Sequence, residues 1–172
     1  QLVLGSSSPR RKELLSSLGM RFIVIPSTID EVLRPGETPE THVIRLALAK
    51  ARDVATKVPD HWVLGADTIV VIDGRILGKP RDAEEARQML AMLSDRIHTV
   101  FTAYALVNHH QPERERVRHV SSLVHIRALS TDEITAYVKT GEPMDKAGSY
   151  AIQGIGAAIV ADVTGSYTNV VG

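Results

Sequence analysis

Near its start the chain reads Leu2-Val-Leu-Gly-Ser-Ser-Ser-Pro-Arg-Arg-Lys12, which is an apolar run, a turn and the beginning of a helix. The apolar residues predict a short buried strand, and the glycine and serines after it predict a turn. Ser8 and Pro9 predict the helix start, because serine is a good N-cap residue and proline suits the first helical position. This order of strand, turn and helix is the first sign of an α/β pattern that the rest of the chain repeats.

The first turn of this predicted helix carries three cations, Arg10, Arg11 and Lys12. The N-terminal end of a helix dipole is already positive, so it favours acidic side chains. Basic residues are costly there unless an anion binds beside them. Free backbone N–H groups, serine hydroxyls and guanidinium groups together would form a phosphate cradle. The same residues would also suit a solvated basic turn, and this stretch alone leaves both interpretations open.

Composition limits the class of protein. A length of 172 residues fits one domain with a substantial core, and 44% hydrophobic with 23% charged residues is ordinary for a soluble globular chain. Net charge is zero, so nothing indicates a nucleic-acid or membrane surface, and no apolar run is long enough to span a bilayer. Cysteine is absent, which excludes disulfides, thiolate nucleophiles and cysteine-bound zinc. A cytoplasmic location is expected.

Hydrophobic periodicity and capping signals alternate between strands and helices. The predicted strands are Leu2–Leu4, Phe22–Ile25, Trp62–Ala66, Thr68–Ile72, Arg75–Leu77, His98–Asn108, Arg116–Arg127 and Ala157–Val163. The predicted helices are Arg10–Leu18, Pro39–Lys57, one capped by Asp82 and Glu85 that runs to Leu93, and one capped by Ser130 and Glu133 that is ended by Gly141. The Asp73-Gly74 turn predicts a hairpin, so the sheet cannot be purely parallel. We therefore expect a mixed α/β domain.

Two acidic positions are candidates for chemistry. Asp67 directly follows the apolar run Trp62–Ala66, and α/β sheets place ligands at the carboxyl ends of their strands. A turn aspartate that caps an N–H is the alternative. Asp30 and Glu31 are adjacent in a polar loop. Such a pair is usually solvated, but carboxylates are also ligands that Mg²⁺ prefers alongside substrate phosphates.

Two lysines are candidates for anion binding. Lys50 lies among alanines of the long predicted helix, and Lys79 lies in the tight loop Leu77-Gly-Lys-Pro80. Gly78 would let the backbone approach a neighbour closely, and the proline would stiffen the loop. A lysine fixed in this way can pair with phosphate. The alternatives are a snorkelling side chain at Lys50 and an ordinary surface lysine at Lys79.

The segment Asp145-Lys-Ala-Gly-Ser-Tyr-Ala-Ile-Gln-Gly-Ile-Gly156 is glycine-rich and has few charges. This composition favours a loop near a ligand or a bulged strand. It is not a Walker A motif, because the Gly-Lys-Ser/Thr ending is absent, and it lacks the third small residue of a dinucleotide fingerprint. The histidines form no metal-binding pair of helical spacing.

Taken together and in order, these segments resemble the Maf family of nucleoside triphosphate pyrophosphatases. The matching motifs are Ser6-Ser-Ser-Pro-Arg-Arg11, Glu13-Leu-Leu15, Gly65-Ala-Asp-Thr68, Leu77-Gly-Lys-Pro80, Leu93-Ser94 with His98, Gly141-Glu-Pro-Met-Asp-Lys-Ala-Gly148, Ile152-Gln-Gly154 and Gly165-Ser-Tyr-Thr-Asn-Val-Val-Gly172. Each motif is weak alone, and the joint match covers nearly the whole chain.

The resemblance implies hydrolysis of nucleoside triphosphates between the α and β phosphates, with Mg²⁺ or Mn²⁺ as cofactor. It implies an elongated, mixed β-sheet flanked by helices, with a central nucleotide-binding cleft, as in inosine triphosphate pyrophosphatases. It also implies one domain over residues 1–172 and a homodimer. The family continues past Gly172 with Leu-Pro and a terminal helix, so the chain is expected to lack a C-terminal tail.

Residue roles follow from the same resemblance. Asp67 matches the family's proton acceptor and, with Glu31, a metal-binding pair, while Lys79 completes the catalytic set. The positions that match groups around the substrate are Ser6, Arg10, Arg11, Lys50, Thr68 and Gln153. Thr68, Gln153 and Arg10 are tied to substrate choice, and their identities resemble those of the subfamily that acts on dTTP and UTP.

Two other functions stay open at this point. The chain could bind nucleotides with little turnover and regulate cell division, since the family name comes from a septum-formation phenotype. It could also act on purine triphosphates such as ITP. The glutamine side chain at position 153 both donates and accepts hydrogen bonds, so it can read a pyrimidine edge.

Overall fold

The computed structural model describes residues 1–172. Its strands are β1 (Leu2–Leu4), β2 (Phe22–Val24), β3 (Trp62–Ile72), β4 (Arg75–Leu77), β5 (Arg96–Val107), β6 (Arg116–Ile126) and β7 (Val160–Thr164). Its helices are α1 (Pro9–Ser17), α2 (Pro39–Lys57), α3 (Ala83–Leu93), α4 (Thr131–Lys139) and α5 (Tyr167–Val171), and short 3₁₀ turns lie at 112–114, 142–145, 147–149 and 154–158. None of the helices combines the length and apolar character that a membrane span requires.

All seven strands belong to one mixed sheet, in the order β2-β1-β3-β5-β6-β7, with β4 paired to β3. Strand β1 lies parallel to both β2 and β3. The pairs β3–β4 and β6–β7 are antiparallel, and a register shift interrupts the second pair between His125 and Ile126. The mixed sheet flanked by helices that the sequence predicts is therefore confirmed.

The chain packs as two compact units. The first contains residues 1–67, 102–120 and 172, and the second contains residues 68–101 and 121–171. Each unit has buried apolar residues of its own. That residues 1–172 act as one domain stays a prediction.

In the first unit, helix α2 packs tightly on strand β3 at Gly65. The apolar face of the helix is fully buried at Val43, Ala47 and Ala51. A Cβ at position 65 would lie 2.5 Å from the carbonyl oxygen of Ala47 and 2.6 Å from the backbone nitrogen of Ala51. Only glycine permits this approach of helix to strand, because any side chain would overlap the helix backbone.

We expect Gly65→Ala to lower the free energy of unfolding by about 1–3 kcal/mol, because the added methyl group must push α2 away from β3. Urea denaturation measures the change. Gly78→Ala is the matched control, since a Cβ there meets nothing within 4 Å. Equal stability of the two variants would contradict the close packing at Gly65.

The core of the second unit lies between helices α3 and α4 and the strand segments that belong to this unit. Its members are Val70, Ile72, Leu77, Ala86, Met89, Leu90, Leu93, Val100, Val124, Ile126, Ile134, Tyr137, Val138, Tyr150 and Ile159. Helix α4 begins with a complete capping box, as predicted. The Ser130 hydroxyl accepts from the Glu133 N–H, and the Glu133 carboxylate accepts from the Ser130 N–H.

Three sequence predictions need correction. Trp62–Ala66 and Thr68–Ile72 are one strand, so Asp67 lies inside β3 rather than after its end. The predicted strand Ala157–Val163 begins only at Val160, because residues 154–158 form a 3₁₀ turn. Ser8 does precede α1, but its side chain makes no capping hydrogen bond. Apolar content does not distinguish a continuous strand from two strands, or a strand from a turn, and only Gly156 of residues 154–158 is buried.

His98 is a buried titratable group of the second unit, with 2% of its surface exposed. Its Nε2 lies 2.7 Å from the Tyr150 hydroxyl, and its Nδ1 has no hydrogen-bond partner. Burial lowers the pKa of His98 from 6.5 to about 4. The folded protein therefore holds this imidazole neutral at pH values where the unfolded chain protonates it.

Stability should fall with acidity through this window. The His98 contribution is fully present above pH 6.5 and is lost as the pH falls from 6.5 towards 4, because only the unfolded state binds the proton there. One such group changes the free energy of unfolding by at most about 1.4 kcal/mol per pH unit. Thermal melts of the wild type and of His98→Phe at pH 7 and pH 5 measure it. If the melting temperature changes equally between pH 7 and pH 5 in the wild type and in His98→Phe, the lowered pKa of His98 is contradicted.

Candidate active site

Lys50 joins two carboxylates in the first unit. Its Nζ lies 2.6 Å from Asp67 Oδ1 and 2.6 Å from Glu31 Oε1. Lys50 and Asp67 are 7% and 4% exposed, whereas about half of the Glu31 side chain is accessible to solvent. Because Glu31 faces water, a charged ligand can reach this group of three side chains from solvent and replace one of the ion pairs.

Three separate elements bring these side chains together. Asp67 projects from β3, Lys50 from the buried face of α2, and Glu31 from the loop that joins β2 to α2. The close approach of α2 to β3 at Gly65 is what places the lysine against the aspartate. The snorkelling alternative for Lys50 is thus wrong, since its ammonium group is buried and paired.

The pKa of the Asp67 carboxyl lies above its ordinary value. Burial raises the pKa of this carboxyl, with a smaller rise from nearby Glu31, while Lys50 and Arg11 act in the opposite direction and only partly offset the burial. A carboxylate with a raised pKa is a stronger base than a solvated one. This is the shift expected of a group that accepts a proton from water near neutral pH.

Arg11 lies beside the same aspartate. Its guanidinium group donates to the Ser6 hydroxyl at 3.1 Å, to the Ala66 carbonyl at 2.8 Å and to the Gly172 carbonyl at 3.3 Å. Burial lowers the pKa of Arg11, and Asp67 counteracts this effect while the charge of Arg10 adds to it. The basic turn is therefore not simply solvated, because one of its arginines is anchored next to the carboxylates.

The Ser6 hydroxyl links the turn before α1 to Arg11. It is 9% exposed and also accepts from the Ser8 N–H at 3.3 Å. The structure thus brings together five of the predicted site residues in the first unit: Ser6, Arg11, Glu31, Lys50 and Asp67. Arg10 is half-buried in the same turn.

Sequence reasoning missed the residues that hold the Glu31 loop. Upstream of Glu31, the Asp53 carboxylate accepts from the Ser27 hydroxyl and the Thr28 N–H, both at 3.0 Å. Downstream, Arg45 pairs with Glu37 and donates to the Val32 carbonyl at 2.9 Å. Arg45 also holds the pKa of Glu37 well below its ordinary range, and burial offsets this effect only in part.

The sequence signal for these loop contacts lies in helix α2, where polar side chains interrupt the apolar face. His42 is 3% exposed and its Nδ1 lies 2.9 Å from the Glu37 carboxylate. A buried polar residue on an otherwise apolar face needs a partner from elsewhere in the chain. The helix pattern could therefore have indicated that a loop is fastened there, although not which loop.

The other three predicted site residues, Thr68, Lys79 and Gln153, belong to the second unit. Thr68 and Gln153 are half-buried and Lys79 is exposed. The Gly78 carbonyl accepts from the Gly148 N–H at 3.1 Å, which joins the Lys79 loop to the glycine-rich segment. A Cβ at Gly78 would meet nothing within 4 Å, so contacts within the protein do not require glycine at this position. It is Gly148 whose Cβ would overlap Val70, at 2.9 Å.

The residues that could hold a divalent cation are Glu31 and Asp67. No group of three or more histidine, aspartate or glutamate side chains is placed to hold a metal ion by itself. The two carboxylates nevertheless converge on one cation, since both lie 2.6 Å from the same ammonium nitrogen. Such oxygen donors fit Mg²⁺ or Mn²⁺, which commonly take one or two carboxylates and complete their coordination with water and substrate phosphates.

Among solved structures, the chain is similar to two Ham1 proteins. The Staphylococcus aureus Ham1 protein matches with a TM-score of 0.51 and 16% identity, over 92% of this chain and 79% of that one. The Coxiella burnetii protein matches with a TM-score of 0.52 and 20% identity, over 86% of this chain and 85% of that one. At these identities the likeness concerns the fold alone, and it confirms the expected fold class.

Similarity in sequence is much closer to proteins named dTTP/UTP pyrophosphatase. The one from Moorella thermoacetica is 53% identical, over 100% of this chain and 88% of its own length. Those from Myxococcus xanthus and Desulfotalea psychrophila are 52% and 50% identical, over 99% of this chain and 85% and 87% of their lengths. The family model described as "Maf-like protein" matches residues 1–172. The resemblance of the motifs is thereby confirmed, and the chain belongs to the Maf family.

Proposed function

We propose that this chain is a nucleoside triphosphate pyrophosphatase that hydrolyses dTTP, UTP and modified pyrimidine nucleotides to the monophosphate and pyrophosphate. The observation that carries the proposal is the bridge of Lys50 between buried Asp67 and half-exposed Glu31. This bridge brings one cation and two carboxylates together, and in our proposal both carboxylates are metal ligands and Asp67 is also the base. The names of its relatives supply the substrate class.

The reaction needs no protein nucleophile, because phosphoryl chemistry depends mainly on positioning and charge neutralisation. In our proposal Asp67 orients the attacking water and accepts its proton. The water oxygen forms the new P–O bond as the α–β anhydride bond breaks, and pyrophosphate leaves. The raised pKa of Asp67 supports this role, because the resulting carboxylic acid is less costly in its buried position.

Cations of the first unit neutralise the triphosphate in this scheme. Arg11 offers a planar guanidinium group, which suits bidentate phosphate binding, and Lys50 offers a compact charge. Arg10 in the first turn of α1 and the Ser6 hydroxyl in the turn before it extend the set. Their arrangement supports the phosphate-cradle interpretation of the opening stretch, because Arg11 and Ser6 contact each other beside Asp67.

Mg²⁺ or Mn²⁺ is the proposed cofactor, held by Glu31 and Asp67. When bound, such an ion polarises the phosphoryl oxygens and the attacking water. Lys50 occupies the position between the two carboxylates. We therefore propose that the lysine gives up at least one carboxylate contact when a metal–nucleotide complex binds.

We propose the remaining roles from the matching motifs. Lys79 contacts the phosphates, and Thr68 and Gln153, with Arg10, select the base. Gln153 suits this task because one amide presents both a donor and an acceptor. That the chain acts as a homodimer in the cytoplasm stays a prediction.

Product analysis tests the proposed reaction. UTP is incubated with the chain and Mg²⁺ or Mn²⁺, and the products are separated by anion-exchange chromatography. The proposal expects UMP and pyrophosphate in equal amounts, with the reaction abolished by a chelator. UDP with inorganic phosphate would contradict cleavage between the α and β phosphates, and turnover unaffected by the chelator would contradict the metal.

A further inference from the structure

The glycine-rich loop that carries Gln153 is fastened by the carboxylate of Glu142. Its Oε2 accepts from the Ile155 N–H at 2.9 Å, and its Oε1 accepts from the Gly156 N–H at 2.8 Å. Burial alone would raise the pKa of Glu142, but the Ile155 N–H, the Tyr137 hydroxyl and the Gly156 N–H together lower it. One ionised side chain thus binds the loop directly after Gln153.

Tyr137 fastens the same loop before Gln153. Its hydroxyl donates to Glu142 Oε1 at 2.8 Å and accepts from the Ala151 N–H at 3.2 Å. Tyr137 is 5% exposed, and burial together with Glu142 raises its pKa, so the phenol stays protonated and keeps donating. The loop is therefore held on both sides of Gln153 by two side chains that also hold each other.

Glu142 and Tyr137 form a clamp on the loop, and two glycines of the loop leave room for these side chains. A Cβ at Gly154 would lie 2.5 Å from Glu142 Oε2, and a Cβ at Gly156 would lie 2.5 Å from the Tyr137 hydroxyl. Gly154 also has a φ of +65°, which favours glycine. A Cβ at Gly156 would also lie 2.2 Å from the Ala151 carbonyl oxygen, so glycine there is required by the loop's own backbone as well as by Tyr137.

Glu142 itself is fixed from its backbone. Its N–H donates to the Thr140 hydroxyl at 3.2 Å, and its carbonyl accepts from Lys146 Nζ at 2.7 Å. A carboxylate anchored in this way defines where the loop lies. A simple surface glutamate would not, since it could rotate away at little cost.

We propose that Glu142 and Tyr137 are positioning residues for base selection, which hold residues 151–156 in the conformation that presents Gln153 to the edge of a pyrimidine. The inference rests on the proposed function, in which Gln153 contacts the base. An amide can pair with many base edges, so its selectivity depends on where the loop fixes it. Neither residue takes part in the chemistry at Asp67.

The test compares kcat and KM for UTP and ITP in the wild type, Glu142→Gln and Tyr137→Phe. Glu142→Gln places an amide N–H₂ against a loop N–H, and Tyr137→Phe removes the partner of Ala151. We expect each variant to raise KM for UTP and to lower the UTP-over-ITP ratio of kcat/KM by about tenfold, with kcat changed less than about threefold. The two-variant design keeps the test decisive if one protein fails to fold.

The matched control is Glu133→Gln in the same unit. Its carboxylate also accepts a backbone N–H, from Ser130 at 2.9 Å, and it pairs with Arg127 at 2.7 Å, so its polar partners are Ser130 and Arg127 rather than residues 151–156. We expect a lower melting temperature and an unchanged UTP-over-ITP ratio. If the clamp variants keep the wild-type ratio, or lose activity equally with both nucleotides, the inference is overturned. A wild type without preference for UTP overturns the proposed substrate class, and this inference with it.

Discussion

Asp67→Asn is expected to lower kcat for nucleotide hydrolysis at least about a hundredfold, the usual scale for removal of a positioned base. The amide has nearly the same shape as the carboxylate but cannot accept the water's proton, and it removes one of the two anions available to a metal. The fold should survive, because Lys50 keeps its ion pair with Glu31. Steady-state kinetics and a circular-dichroism melt measure the two effects.

The matched control is Asp162→Asn, which changes an exposed aspartate of strand β7. It should keep wild-type kcat and melting temperature. Near-normal turnover in Asp67→Asn would refute its assignment as the base. A folded Asp67→Asn that still binds nucleotide without turnover would agree with the assignment, and a wild type with the same behaviour would favour the nucleotide-binding regulator instead.

Lys50→Met is expected to have the largest effect on stability, a loss of about 3 kcal/mol, because removing one partner of a buried pair leaves an uncompensated charge. Asp67 would lose the ammonium group that acts against its burial, so its pKa would rise further. The loss should be greatest at neutral pH and should shrink in acid, because the folded state then holds Asp67 protonated. Hydrolysis should fall as well, because a phosphate-binding cation is gone.

A double variant separates the stability lost with the ion pair from any stability change caused by packing of the methionine side chain. Adding Asp67→Asn to Lys50→Met removes the unpaired carboxylate, so most of the lost stability should return while hydrolysis stays at least as low as in Asp67→Asn. Urea denaturation of both single variants and the double variant completes the cycle. A Lys50→Met protein as stable as the wild type would contradict the buried pair between α2 and β3.

Much of the fold was predictable because its signals are local. The Asp73-Gly74 dipeptide predicts a hairpin, and both residues adopt the positive φ that such a turn requires. The strand–turn–helix order around Ser8 and the capping box at Ser130 are confirmed as well. Each of these depends on residues within a few positions of one another.

The parts that sequence reasoning missed depend on distant contacts. Lys50 reads as a helix residue among alanines, and only the close approach at Gly65 places it against Asp67. The sequence predicts a strand from Ala157, but residues 154–158 form a 3₁₀ turn in which Glu142 binds the Ile155 and Gly156 amides. Apolar patterns indicate burial, whereas the partner of each polar group is set by tertiary packing.

Pyrophosphate release from a panel of nucleotides tests the proposed hydrolysis: dTTP, UTP, CTP, ITP, GTP and 7-methyl-GTP. Each is incubated with Mg²⁺ or Mn²⁺, with the wild type and with Asp67→Asn in parallel. We expect rapid release from dTTP and UTP by the wild type, lost in the variant. Preference for a purine would contradict the roles of Thr68 and Gln153, and no release from any nucleotide by a folded protein would contradict the proposed function as a whole.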